Sequence, residues 1–181
     1  LILLYRSVLH LFGGVGLILI LSSVLSNIYG MQLFNAEGHT DRLTPSLLHS
    51  ARTILYIYLG FIIGGSILYV AFGMHWFDAI NHGLTTTSTG GLSTKNASLG
   101  YFNSVKIEFI AVIFMILAAL PMTFYIAILQ HQDINGSRGV QVSAFFKILI
   151  TYITIVTFWL FWSNDISFLQ ALRYATFNVV S

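Results

Sequence analysis

Four stretches of the chain, 7–36, 53–77, 109–132 and 148–164, carry no charged residue and are dominated by apolar side chains. A helix needs about 20 such residues to cross a bilayer. Each stretch therefore predicts a membrane span, over about 8–29, 54–72, 109–129 and 145–162. Polar segments separate them. Residues 35–52 gather Glu37, Asp41, Arg42 and Arg52, with Leu43-Thr44-Pro45 placing proline where a helix can begin, and Asp133, Arg138 and Lys147 precede the fourth span. Between the second and third spans the pattern changes. Residues 76–84 have the pattern of a short helix with Asp78 near its start, too short to cross alone. Thr85 to Thr94 lacks helical periodicity, and its hydroxyl-bearing and glycine residues favour extended or turned backbone. Irregular backbone at membrane depth is tolerated only where it lines a water-filled cavity or is buried in protein, so this segment predicts a re-entrant pore loop. After the fourth span and a polar break at Asp165, residues 168–177 form a second short helix, which makes span and short helix a repeating unit.

Composition sharpens the class. Hydrophobic residues make 56% of the 181-residue chain and charged residues 8%, against about 25% charged in a soluble domain. The fold class is all-α and membrane-integral. Disorder, fibrous rods and soluble enzymes with sites assembled from scattered charges are excluded. A net charge of +2 gives no basic surface for nucleic acid. The absence of cysteine removes disulfides, thiolate nucleophiles and Cys-ligated metals. Of the six histidines (His10, His39, His49, His75, His82 and His131) no two stand four residues apart with a flanking acid, which argues against a zinc enzyme. Gly13, Gly14 and Gly16 in the first span, and Gly60, Gly64 and Gly65 in the second, suit close helix packing. Pro121 predicts a kink in the third, and Trp159 and Trp162 mark an interface at the end of the fourth.

A cation stripped of water inside a membrane needs replacement oxygens, which rings of backbone carbonyls provide. Glycine lets a carbonyl turn inward without a Cβ clash, and a helix C-terminus aimed at the same point favours positive charge. Thr89, Gly90, Gly91 and Leu92 have these parts. On composition alone, an ion filter and a Thr/Gly-rich loop outside the membrane are equally good readings. A broken-helix carrier for another cation or small solute is the alternative transporter. It is expected to hold a charged site at mid-membrane, whereas Asp78, Glu108 and Asp165 fall near span ends.

Trp76-Phe77-Asp78-Ala79-Ile80, His82, Ser88-Thr89-Gly90-Gly91-Leu92-Ser93-Thr94, Ala97-Ser98 and Tyr101-Phe102-Asn103-Ser104 together resemble the second pore loop of the TrkH/TrkG potassium-uptake proteins, within the wider Trk/Ktr/HKT superfamily of cation transporters. Gly13-Gly14-Val15-Gly16, Gly30-Met31-Gln32-Leu33-Phe34-Asn35-Ala36-Glu37, Leu43-Thr44-Pro45, Leu120-Pro121-Met122 and Phe177-Asn178-Val179-Val180-Ser181 are similar to further segments of that family in order and spacing. The resemblance implies four M1–pore helix–M2 units around a central pathway, with this chain an internal part. Residues 1–34 would be the second membrane helix of repeat one, 35–52 a cytoplasmic loop, 53–129 repeat two, 130–144 a cytoplasmic loop and 145–181 the start of repeat three. It implies potassium uptake, with no cofactor and no enzymatic activity, and potassium bound at Thr89, Gly90 and Gly91 beside Leu92. Gly91 would make the selectivity contact, and Asp78, His82 and Ser93 would support the pore helix. A homodimer, a cytosolic nucleotide-binding TrkA-type regulatory subunit and a multi-pass position in the bacterial inner membrane follow from the same likeness. Leu92 stands where the family commonly has Phe, which should alter packing behind the filter more than ion contacts. Charge does not orient the chain: with a re-entrant loop, Arg42, Arg52, Arg138 and Lys147 face one side and Arg6, Lys95, Lys106 and Arg173 the other.

Overall fold

The computed structural model describes residues 1–24, 47–129, 137–163 and 166–181. The polar segment around Glu37, Asp41, Arg42 and Leu43-Thr44-Pro45, the family-like stretch 30–37, and Asp133 and Asp165 lie outside the described residues. Seven α-helices run through the described parts: α1 (Ile2–Val24), α2 (Leu47–Ala71), α3 (Trp76–Thr87), α4 (Val105–Ala119), α5 (Met122–Leu129), α6 (Ser137–Ser163) and α7 (Phe168–Val180). A short 3-10 helix, Ser98–Phe102, precedes α4. Two of them, α2 over Arg52–Ala71 and α6 over Gly139–Ser163, are long and apolar enough to cross a bilayer.

Helices extend past the stretches that the charge pattern marks. α1 begins at Ile2 and includes Arg6, α2 includes Arg52, and α6 includes Lys147. A charge-free run measures the hydrocarbon layer, while the helix continues into the headgroup region where charges are solvated. The first turns of α2 and α6 thus occupy residues assigned above to the loops 35–52 and 130–144. The third span departs further from expectation, because Pro121 divides it into two helices instead of kinking one. Proline forces the residue before it out of the helical region, and Leu120 sits at φ −71°, ψ 146°. The Tyr125 hydroxyl donates to the Leu117 carbonyl at 2.5 Å, satisfying a group at the break.

The core lies where α2, α3 and α4 meet, built on Tyr69, Met74, Ala79, Leu99, Ile107, Ile110, Ala111 and Phe114. Two of the three α2 glycines make room for one ring. A Cβ on Gly65 would lie 3.4 Å from Phe114, and one on Gly64 3.8 Å from it, while Gly60 faces open space. Outward faces remain strongly apolar. On α6, Tyr152, Ile155, Phe158, Trp159 and Trp162 are all exposed, a surface that only lipid or further protein can cover.

The order span then short helix occurs twice with a constant interval. α2 ends at Ala71 and α6 92 residues later at Ser163, and α3 begins at Trp76 and α7 92 residues later at Phe168. The two helices of each unit pack on one another. Ala79 and Ala171, equivalent by this offset, are both fully buried.

Candidate functional site

α3 begins where Gly73, at φ +96°, turns the chain out of α2, and His75 caps the helix by accepting the Phe77 N–H at Nδ1, 3.4 Å away. Its small face meets α2 closely. A Cβ on Gly83 would strike the Ser66 hydroxyl and lie 3.1 Å from the Ile62 carbonyl. On the opposite side Asn81, wholly buried, accepts from the Ser7 hydroxyl of α1 at 2.8 Å and donates to the Phe77 carbonyl at 2.7 Å.

The helix runs one turn further than the polar pattern predicts, through Thr85, Thr86 and Thr87. Threonine is a weak helix former when exposed. These three are buried, and the Tyr69 hydroxyl shares a hydrogen bond with the Thr86 hydroxyl at 3.3 Å. The end is a Schellman cap. Gly90 N–H donates to the Thr85 carbonyl at 2.8 Å, Thr89 N–H donates to the Thr86 carbonyl at 3.3 Å, and Thr89 is left-handed at φ +52°. For a β-branched residue that conformation costs about 1–3 kcal/mol and persists only where surrounding contacts impose it. Gly91 follows, also left-handed, at φ +65°. Its neighbour needs glycine for a different reason. Gly90 does not have positive φ, but a Cβ there would lie 2.7 Å from His10 Nδ1 and 3.0 Å from its Cγ.

Beyond Gly91 the chain returns along α3, and four consecutive residues are tied to it in order. The Thr85 hydroxyl donates to the Leu92 carbonyl at 2.8 Å, His82 Nε2 pairs with the Ser93 hydroxyl at 3.0 Å, the Thr94 hydroxyl donates to the Asp78 carboxylate at 2.5 Å, and the Lys95 ammonium pairs with the same carboxylate at 3.2 Å. Positions 85, 82 and 78 rise along one helix face at intervals of three and four, so a strand-like limb can meet them one after another. The His82 tautomer follows from its partners. Nδ1 lies 2.7 Å from the Asp78 carbonyl, which can only accept, so Nδ1 carries the hydrogen and Nε2 accepts from Ser93. Tyr69 and Phe102 flank the ring edge-on, at centroid distances of 6.3 and 5.7 Å. Burial opposes ionisation of Asp78, but the Thr94 hydroxyl and the Lys95 ammonium outweigh it and hold the carboxyl below its ordinary value. Its charge is directed at the return limb, an arrangement distinct from the helix-end role that its position alone suggests.

Thr89, Gly90, Gly91 and Leu92 thus form one turn at the C-terminus of a buried helix, and Asp78, His82 and Ser93 belong to the network that holds the limb after it. A cleft of about 390 Å³ separates this turn from α1, lined by Leu9, His10, Gly13 and Gly14 on one side and Ser88, Thr89 and Gly90 on the other. Gly14 approaches closely, where a Cβ would lie 3.4 Å from the Ser88 carbonyl, whereas Gly13 and Gly16 face open space. Residues that sequence reasoning missed are Ser7, Tyr69, Asn81 and Thr85, whose polar groups join α3 to α1, to α2 and to the return limb. Among the described residues no three His, Asp or Glu side chains assemble into a metal site.

Span and pore-helix units with a re-entrant polar loop define an α-helical membrane transport protein. The chain matches the sequence model of the TrkH family, described as "Cation transport protein", over residues 1–172, and it belongs to that family. It is 32% identical to the Trk system potassium uptake protein TrkH of Halomonas elongata over 187 residues, covering 99% of this chain and 39% of that protein. Against the Trk system potassium uptake protein TrkG of Escherichia coli it is 35% identical over 161 residues, 85% of this chain and 33% of the relative. The crystal structure of the potassium transporter TrkH from Vibrio parahaemolyticus superposes with a TM-score of 0.80 at 30% identity, over 99% of this chain and 37% of that one. The chain spans between a third and two fifths of the length of these relatives.

Proposed function

We propose that this chain contributes one filter loop to a potassium-uptake pathway across the bacterial inner membrane, with the backbone of Thr89, Gly90, Gly91 and Leu92 meeting the dehydrated ion. The observation that carries the reading is the ordered attachment of Leu92, Ser93, Thr94 and Lys95 to α3 directly after the left-handed Gly91. Carbonyls replace a hydration shell only when they are held at ion spacing, and a limb fixed at every residue supplies that rigidity. Potassium is the ion named for the relatives. On this reading 1–34 closes repeat one, 53–129 is repeat two and 145–181 opens repeat three, with 35–52 and 130–144 cytoplasmic. A homodimer and a TrkA-type regulatory subunit complete the assembly. The carrier alternative is weaker, because Asp78 is engaged by Thr94 and Lys95 and offers no free carboxylate to a solute.

The test is Gly91→Ser in the intact transporter, assayed in cells that lack other potassium uptake. A side chain at φ +65° is disfavoured by about 1–2 kcal/mol, enough to move the adjacent carbonyls. Half-maximal uptake should require more potassium, and sodium should become inhibitory. Gly90→Ala should act more mildly, since only the His10 ring must yield. Unchanged potassium affinity and sodium exclusion in correctly inserted Gly91→Ser would refute the filter assignment.

A further inference from the structure

The 92-residue offset aligns more than backbone. Asn81 is the sixth residue after the N-cap of α3, His75, and Arg173 is the sixth after the N-cap of α7, Ser167. Each reaches back to a helix that lies earlier in the chain than its own unit. Asn81 bonds Ser7 of α1, and Arg173 makes two hydrogen bonds to Glu108 of α4, Nε to Oε2 and Nη2 to Oε1, both at 2.6 Å. One junction uses a neutral pair and the other a two-pronged ion pair, at the same place in the repeat. The side chains of Arg173 and Glu108 are 29% and 16% exposed, so solvent screens the pair only in part. Glu108 stands in the first turn of α4, the helix that follows the limb held by Asp78, His82 and Thr85, with the 3-10 helix Ser98–Phe102 between them. α7 is therefore tied to the start of the helix that follows the loop and its return limb.

We infer that the sixth position of each short helix is a repeated positioning site, and that the Arg173–Glu108 pair sets α7 against the α2–α4 unit so that successive filter loops face one pathway at the correct distance. Neither residue touches the ion. The inference rests on the filter reading above, and the experiment separates the two. Arg173→Gln, Glu108→Gln and the charge-exchanged Arg173→Glu/Glu108→Arg are compared with wild type for membrane level, for the potassium concentration at half-maximal uptake and for sodium inhibition. Wild type that supports no potassium-dependent growth refutes the filter reading itself. With wild type active, each single variant should need several-fold more potassium and admit sodium, and the exchanged pair should recover most of both. Arg173→Lys should fall between, because a point charge cannot reproduce the two-pronged geometry. Single variants inserted at normal level with wild-type affinity and selectivity overturn the inference. Where the single variants are lost from the membrane, the exchanged pair decides: recovery of level and affinity together supports the pairing, and failure of either overturns it.

Discussion

α3 and α7 stand at the same place behind a long apolar helix, and they carry different side chains on the face that α3 turns toward the residues after Gly91. Gly83 packs on the preceding span, and its equivalent by the 92-residue offset, Ala175, is also small and fully buried. They differ where α3 meets its return limb. Asp78, His82 and Thr85 correspond to Gln170, Tyr174 and Phe177. Buried polar groups are retained only when partnered, and in α3 the partners are the four residues after Gly91. The scaffold of the unit therefore resides in its small residues and its caps, while the polar face is specific to the loop that it holds. Moving α7 residues into α3 tests this division.

The largest effect is expected from Asp78→Gln. The change removes the charged partner of Thr94 and Lys95 and leaves an ammonium beside the loop over the Tyr101 ring, 5.0 Å from the ring centroid. Hydrogen bonds to a charged group contribute about 1.5–3 kcal/mol, with the Lys95 share reduced by its partial exposure. Thermal stability of the detergent-purified protein should fall and the maximal uptake rate should drop, while potassium-over-sodium preference changes little because Asp78 holds the limb that follows the turn proposed to contact the ion. Lys95→Gln added to Asp78→Gln should restore part of the rate. A large selectivity loss at normal protein level would instead place Asp78 at the ion.

Gly83→Ala comes second. The added methyl must displace the Ser66 hydroxyl and sits 3.1 Å from the Ile62 carbonyl, which belongs to the α2 backbone and yields little. Overpacking costs about 1–3 kcal/mol, offset by about 1 kcal/mol of better helix propensity. A net loss of stability is expected in a thermal melt, partly relieved by Ser66→Ala. The reverse change, Ala175→Gly in α7, should cost about 0.5–1 kcal/mol through backbone entropy alone. Equal losses in the two would show that the two crossings are equally tight.

Much of this organisation was legible in the chain. Charge-free stretches mark the two helices long and apolar enough to cross a bilayer, α2 and α6, while Asp78 and the Thr/Gly run mark a short helix and its loop, and a second short helix is visible after Asp165. The misses have physical causes. Thr85, Thr86 and Thr87 are poor helix formers by propensity, and burial against α2 and a Schellman cap override that. Pro121 acts on Leu120 as well as on itself, so the third span breaks. The Ser7–Asn81 and Glu108–Arg173 pairs are separated by 74 and 65 residues, and nothing local signals them. The constant offset between units was the available clue, since it sets Arg173 opposite Asn81.

The smallest effect is expected at Thr87, and it bears most directly on where the ion path runs. Its hydroxyl is buried and, among the described residues, has no hydrogen-bond partner. The offset pairs it with Val179 in α7, a residue of nearly the same shape. If the hydroxyl serves only the packing of α3, Thr87→Val removes an unsatisfied polar group, worth about 1–3 kcal/mol of desolvation, and the valine methyl fills the same space. The purified protein should then melt at an equal or higher temperature, with potassium affinity and sodium inhibition unchanged. Thr87 is also the last residue of the helix, two positions before the left-handed Thr89, at the end of α3 where its dipole favours a cation. A variant that melts higher but needs more potassium would show that this hydroxyl faces the pathway, and the filter would then begin two residues earlier than Thr89-Gly90-Gly91-Leu92, inside the helix.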